Sequence, residues 1–190
     1  MGETALFVGG IRSGKSGYAQ KWAEKRGEDC CFLATLRVED PEMQKRVLRH
    51  QRARGEKWRV LELQEDVPAA LRSLLKDPPD VLLLDCVSTW IADRLERESD
   101  EAIVKEVLCV AEMFQEIPFP IGFVTTDVSS SLVPASPLGR RFQDMMGEVN
   151  QILAGRVENV ILFFCGLPLI MKEGGKILEK GSAETFSLFD

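Results

Sequence analysis

Apolar residues along this chain fall into short continuous runs separated by longer stretches of helical spacing. Ala5-Leu6-Phe7-Val8, Cys30-Cys31-Phe32-Leu33-Ala34, Val81-Leu82-Leu83-Leu84-Asp85, Pro120-Ile121-Gly122-Phe123-Val124-Thr125 and Val160-Ile161-Leu162-Phe163-Phe164 each read as a core strand. Runs of this kind suit parallel strands covered on both faces. Trp58-Arg59-Val60-Leu61-Glu62-Leu63 alternates as a strand does. Helices are predicted over residues 18–25, 40–54, 67–75, 87–115 with a break near Arg97 to Asp100, and 138–155. Asp40-Pro41 reads as an N-cap followed by proline at the first helical position, and Asp77-Pro78-Pro79-Asp80 stops the helix before the Val81 run. Strands alternating with helices predict an α/β fold, a mainly parallel sheet with helices on both faces and ligands at the carboxyl ends of the strands. The stretch from Thr126 to Pro137 is a serine- and proline-containing loop, and residues 173–190 carry no assignable element.

Composition narrows the class. A chain of 190 residues is long enough for one α/β core, and no Gly/Ser- or Pro-rich linker divides it. One catalytic domain over residues 1–172 and a tail over 173–190 are therefore expected. With 24 basic against 30 acidic residues the formal charge is −6, which argues against a general nucleic-acid binder, because phosphate backbones need a cationic face. The 5 cysteines are odd in number and form no C-x-x-C, so neither a disulfide framework nor a zinc site is suggested; Cys86 and Cys165 lie in apolar runs and read as buried strand ends. A cytoplasmic setting fits best. No charged n-region precedes an apolar h-region, and no apolar stretch approaches the roughly 18 residues of a membrane span.

Against this background one stretch stands out. Gly9-Gly10-Ile11-Arg12-Ser13-Gly14-Lys15-Ser16 fits G-x-x-x-x-G-K-[ST] and lies between the first predicted strand and the first predicted helix, as a P-loop requires. Glycines let the backbone N–H groups and the helix N-terminus converge on a phosphate chain. Lys15 would reach the β- and γ-phosphates and the Ser16 hydroxyl would coordinate Mg²⁺. Asp85, at the end of an apolar strand, has the placing of a Walker-B acid that holds Mg²⁺ directly or through water.

A second stretch runs against the acidic average. Residues 45–54 carry Lys45, Arg46, Arg49, Arg52 and Arg54, together with His50, the sole histidine of the chain. At helical spacing Arg46, His50 and Arg54 share one face. The flanking guanidinium groups disfavour the imidazolium, leaving a ring nitrogen free to attack phosphorus, and would stabilise charge developing on the phosphate. The same pattern also describes a solvated, charge-rich helix.

The P-loop Gly9-Gly10-x-Arg12-Ser13-Gly14-Lys15-Ser16, the series Glu42-Met43-x-x-Arg46-x-x-x-His50-x-x-x-Arg54-x-x-x-Trp58-x-x-x-Glu62, and Val133-Pro134 followed by Arg140-x-Phe142-x-Asp144-x-x-Gly147-x-x-Asn150-Gln151 occur in that order. Together they resemble the bifunctional adenosylcobinamide kinase / adenosylcobinamide-phosphate guanylyltransferase family of cobalamin biosynthesis, from about Leu6 to Lys172. The resemblance implies a RecA-like P-loop NTPase fold and phosphorylation of adenosylcobinamide by ATP or GTP. It further implies transfer of GMP from GTP through a guanylylated histidine, which falls on His50, to the corrinoid phosphate. Implied nucleotide contacts fall on Gly9, Gly10, Ile11, Arg12, Ser13, Gly14, Lys15 and Ser16, on Ala34, Thr35 and Leu36, on Gln51, Arg52, Ala53 and Arg54, and on Glu62 and Asp85. A homotrimer is implied as well. The chain departs from the family at Thr126-Asp127-Val128-Ser129-Ser130-Ser131, where Asn-Glu-Val-Gly-x-Gly is usual, and at Gly55, where proline is common.

Two other readings use the same residues. A plain small-molecule kinase would share the P-loop and leave His50 structural. A nucleotide switch is disfavoured, since no D-x-x-G follows Asp85 and no N-K-x-D occurs.

Overall fold

The computed structural model describes residues 2–35, 57–63, 66–128 and 132–178. The elements in chain order are β1 (Thr4–Gly9), α1 (Lys15–Glu24), β2 (Cys30–Ala34), β3 (Trp58–Glu62), α2 (Val67–Leu74), β4 (Val81–Asp85), α3 (Val87–Leu95), α4 (Asp100–Met113), β5 (Ile121–Thr126), α5 (Pro137–Arg156), β6 (Asn159–Phe164), β7 (Leu167–Glu173) and β8 (Lys176–Ile177). They build one 8-stranded sheet of order β3-β2-β4-β5-β1-β6-β7-β8. From β3 to β6 every neighbouring pair is parallel; β7 and β8 close the far edge as antiparallel strands.

The continuous apolar runs form the middle of the sheet because each of their faces meets a separate core. On one face Leu6, Leu33, Leu82, Leu84, Ile121 and Phe123 pack under α2, α3, α4 and α5. On the other, Ala5, Phe7, Phe32, Leu83 and Val124 pack with Ala19, Trp22 and Ala23 of α1. Helices thus lie on both faces, as the run-and-helix alternation predicts.

Local chemistry sets the helix starts. Asp66 caps α2 by accepting from the Ala69 amide at 2.6 Å, Ser99 caps α4 by accepting from Ala102 at 3.3 Å, and Ser136 caps α5 by accepting from Gly139 at 3.1 Å. The expected break between two helices falls between Leu95 and Asp100, where Arg141 of α5 donates to the Leu95 and Glu98 carbonyls at 2.8 Å each. Observed starts differ from the sequence reading by up to three residues: α1 begins at Lys15, within the P-loop motif, rather than at Tyr18. The predicted helix over 40–54 lies outside the described residues.

Two features correct the sequence reading. Val160–Phe164 is not the last strand: the chain doubles back twice, through Cys165-Gly166 with φ of 53° and 85°, and through Gly174-Gly175 with φ of 53° and 82°. Paired positive φ values are what tight hairpin turns demand. Because of the first turn, Cys165 sits exposed at a hairpin tip instead of in the core, and Cys86 is half-buried ahead of α3.

Within the helical layer, Glu106 of α4 joins groups from two other helices. It pairs with Arg94 at 2.9 Å and accepts from Trp90 Nε1 at 3.1 Å and the Val67 amide at 3.4 Å. Both side chains of the ion pair are largely buried, 12% and 16% exposed. Replacing Glu106 with Ala leaves the Arg94 charge without this partner and is expected to cost about 3–5 kcal/mol. Urea unfolding reads this as a lowered midpoint at unchanged slope.

Candidate active site

Five parallel strands in sequence-scrambled order, β3-β2-β4-β5-β1, end along one edge of the sheet. Register places Glu62 opposite Ala34, Asp85 opposite Val124 and Gly9 opposite Thr126. The candidate residues that the structure describes are therefore collected on a single shelf: Gly9 to Ser16, Ala34, Thr35, Glu62 and Asp85. Leu36, His50, Gln51, Arg52, Ala53 and Arg54 lie outside the described residues.

At the head of β1 the chain turns sharply into α1. A Cβ on Gly9 would come within 2.7 Å of both the Phe163 carbonyl oxygen and Ser13 Oγ, so only glycine allows the strand to leave the sheet here. Gly14 is the N-cap of α1 at φ 89°, a left-handed conformation that favours glycine. Among the described residues no side chain caps α1, and no acidic residue stands in its first turn. The positive end of the helix is thus left for an external anion.

Inside the loop the Ser13 amide donates to the Gly10 carbonyl at 3.3 Å, and Lys15 Nζ donates to the same carbonyl at 3.0 Å. Ser13 Oγ is buried and has no hydrogen-bond partner among the described residues. Lys15 is only 9% exposed. Burial lowers its pKa below that of an ordinary lysine, and the Asp85 carboxylate opposes that shift by favouring the ammonium. An orphaned hydroxyl, an uncapped helix and a buried ammonium fit a phosphate chain.

Ser16 in the first turn of α1 and Asp85 at the end of β4 supply hard oxygen donors of the kind Mg²⁺ takes. Among the described residues no group of three or more His, Cys, Asp or Glu side chains is gathered for a metal. A P-loop Mg²⁺ needs none, since phosphate oxygens and water complete its shell.

Around Thr35, hydroxyl groups that are not among the expected site residues, those of Ser88, Thr89 and Thr126, line the same shelf. Thr35, buried just beyond β2, donates to the Cys86 carbonyl at 2.7 Å and lies 2.6 Å from Thr89 Oγ1. Cys86 Sγ is 3.0 Å from Ser88 Oγ, which is 3.4 Å from Thr126 Oγ1. The signal was the Ser88-Thr89 pair shortly after Asp85, which also reads as an ordinary helix start.

A glycine-rich strand-to-helix loop over a buried lysine, on a mainly parallel sheet, defines a RecA-like P-loop protein. Solved structures agree on the fold. The RadB recombinase superposes with a TM-score of 0.52 at 11% identity, covering 97% of this chain and 91% of its own. A protein of Pyrococcus horikoshii OT3 reaches 0.56 at 9% identity, covering 93% and 92%.

Sequence comparison is more specific. The chain is 32% identical to the bifunctional adenosylcobalamin biosynthesis protein CobP of Pseudomonas aeruginosa, over 88% of this chain and 96% of that one. It is 31% identical to the bifunctional adenosylcobalamin biosynthesis protein CobU of Escherichia coli K12, over 88% and 98%. Residues 5–171 match the family described as cobinamide kinase / cobinamide phosphate guanyltransferase, and the chain belongs to that family.

Replacing Lys15 with Ala removes the buried ammonium and is expected to weaken binding of a fluorescent GTP analogue about 100-fold, the scale of a charge-assisted hydrogen bond. Gly14→Ala, forced to adopt φ 89°, is expected to lose about 1–2 kcal/mol in thermal unfolding.

Proposed function

We propose that this protein phosphorylates adenosylcobinamide with ATP or GTP and then transfers GMP from GTP to the resulting corrinoid phosphate, giving adenosyl-GDP-cobinamide and pyrophosphate. Family membership supports the pair of reactions, and the observation that carries them to this chain is the phosphate cradle of Gly9 to Ser16 closed by the buried Lys15.

In the kinase step the substrate alcohol attacks the γ-phosphorus, loses its proton to solvent or base, and the nucleoside diphosphate leaves. In the guanylyl step an unprotonated nitrogen of His50 attacks the α-phosphorus of GTP. A P–N bond forms as the P–O bond to pyrophosphate breaks. A phosphate oxygen of the corrinoid then attacks the same phosphorus, and the P–N bond breaks to free His50. Lys15 and the α1 N-terminus hold the triphosphate in both steps. Mg²⁺, with Ser16 and Asp85 as protein donors, supplies neutralisation of phosphate charge when bound.

The remaining contacts belong to the same reading: Ala34, Thr35 and Leu36 beside the nucleotide, Gln51 to Arg54 around the acceptor histidine, and Glu62 on the guanosine. Ala34 and Glu62 are register partners at the ends of adjacent strands, which supports their sharing one ligand. The protein would work in the cytoplasm as a homotrimer. Exposed apolar side chains along β6 to β8, with Phe164, Leu167 and Ile177 at 75%, 67% and 78%, support burial of that edge between copies.

Incubation with GTP labelled at the α-phosphate and Mg²⁺ is expected to leave an acid-labile, alkali-stable label on the wild-type chain and none on His50→Ala. Equal labelling of both would rule out the histidine intermediate and leave a plain kinase.

A further inference from the structure

The third motif, from Arg140 to Gln151, lies on α5, away from the phosphate loop in sequence. Its side chains nevertheless reach the shelf. Thr125 is fully buried on the face of β5 that Ile121 and Phe123 fill with hydrocarbon. A hydroxyl there needs a partner, and Asn150 supplies it: Thr125 Oγ1 donates to Asn150 Oδ1 at 2.6 Å. The other half of the amide, Nδ2, donates to the Thr126 carbonyl at 3.3 Å. Turning the amide over would set its oxygen against that carbonyl, acceptor to acceptor, so the two bonds fix one orientation.

What Asn150 grips is the spacer between the two halves of the phosphate site. In the sheet, β5 separates β1, which carries the P-loop, from β4, which carries Asp85. Thr126 pairs with Gly9, the Asp127 amide donates to the Gly9 carbonyl at 3.2 Å, and Val124 pairs with Asp85. On its opposite side Thr126 Oγ1 stands 3.4 Å from Ser88 Oγ. Further along α5, Gln143 donates to the Val128 carbonyl at 2.9 Å and Arg140 to the Pro134 and Ala135 carbonyls at 3.0 and 2.8 Å. α5 therefore secures the chain on both sides of where it leaves β5.

We propose that Asn150 is a positioning residue for phosphoryl and guanylyl transfer: by holding the carboxyl end of β5 it sets the separation between the P-loop at Gly9 and the acidic strand end at Asp85. The proposal rests on the reading of Gly9 to Ser16 and Asp85 as the triphosphate site. Binding of the triphosphate itself depends mostly on the loop and Lys15, whereas transfer depends on the relative placement of both halves. Loss of the clamp should thus reach turnover before affinity.

The test uses the full chain with GTP, Mg²⁺ and cobinamide, measuring kcat, KM, the Kd of a fluorescent GTP analogue and the thermal midpoint. Asn150→Leu keeps the branched shape of the side chain and removes both hydrogen bonds; Thr125→Val removes the hydroxyl alone. Each is expected to lower kcat, Asn150→Leu by about 10- to 100-fold, as a small misplacement of reacting groups does, with Kd nearly unchanged. The Mg²⁺ concentration for half-maximal rate rises, and Thr125→Ser recovers most of the rate lost in Thr125→Val. Wild-type kcat in both Asn150→Leu and Thr125→Val overturns the proposal. So does a fall in kcat that merely follows the unfolded fraction, with Kd weakened in proportion. Lys15→Ala serves as the control: if it binds nucleotide as the wild type does, the phosphate-site reading fails, and the positioning role fails with it.

Discussion

Parallel pairing of β1 between β5 and β6 is the constraint on which the site depends. It brings Gly9 against Thr126 on one side and Phe163 on the other, so the strand has no lateral freedom where the P-loop begins. The missing Cβ of Gly9 is the condition for that fit, since the Phe163 carbonyl already occupies its place. Once β1 is seated, β5 and β4 follow in register, and the acid at Asp85 arrives on the same edge without any sequence proximity to the loop.

Electrostatics then follows from burial. The chain is acidic overall, yet the loop holds an ammonium largely out of water, over an uncapped helix start with no acid in its first turn. Lys15 donates to the Gly10 carbonyl and lies in the field of Asp85. A triphosphate offers that ammonium a better counter-charge than a carbonyl does, and the same anchor serves attack at either end of the phosphate chain. The proposed two reactions differ in which phosphorus is attacked and by what, and they need no second triphosphate site.

Much of this was legible in the residues. Continuous apolar runs marked the parallel strands because burial on both faces leaves no polar position, and the P-loop could be placed because strand, glycines and helix stand in one order. β7 and β8 were missed because the apolar stretch of β7, Leu167 to Met171, is interrupted by Pro168, and shows no alternation of apolar and polar residues although its positions alternate between exposed and half-covered. Its turn signals were present as dipeptides, but Cys165-Gly166 stood at what reads as a buried strand end and Gly174-Gly175 in the stretch read as tail. Cys165 was misplaced because apolar neighbours suggest a core, while a backbone reversal decides exposure. Nor could spacing show that Asn150 meets Thr125, because a helix 20 residues long can present any of its faces to a strand until the sheet order is known. The reading of His50 stays with its motif and the family, as the segment that carries it lies outside the described residues.

One contact has a bearing on how the protein comes into being. Thr4 and Glu158 bond to each other twice, the Thr4 amide to the carboxylate at 3.3 Å and the Glu158 amide to the Thr4 hydroxyl at 2.9 Å, across 154 positions of sequence. Strand β1 precedes both of its neighbours in the sheet, with β2, β3 and β4 between it and β5 in the chain. Its apolar residues must wait, unpaired, until β5 and β6 have been made, and closing so long a loop is slow. Competence to grip a nucleotide is therefore acquired only once β6 has been made, and a chain cut short before β6 would carry the complete P-loop sequence without one of the two strands that wall it.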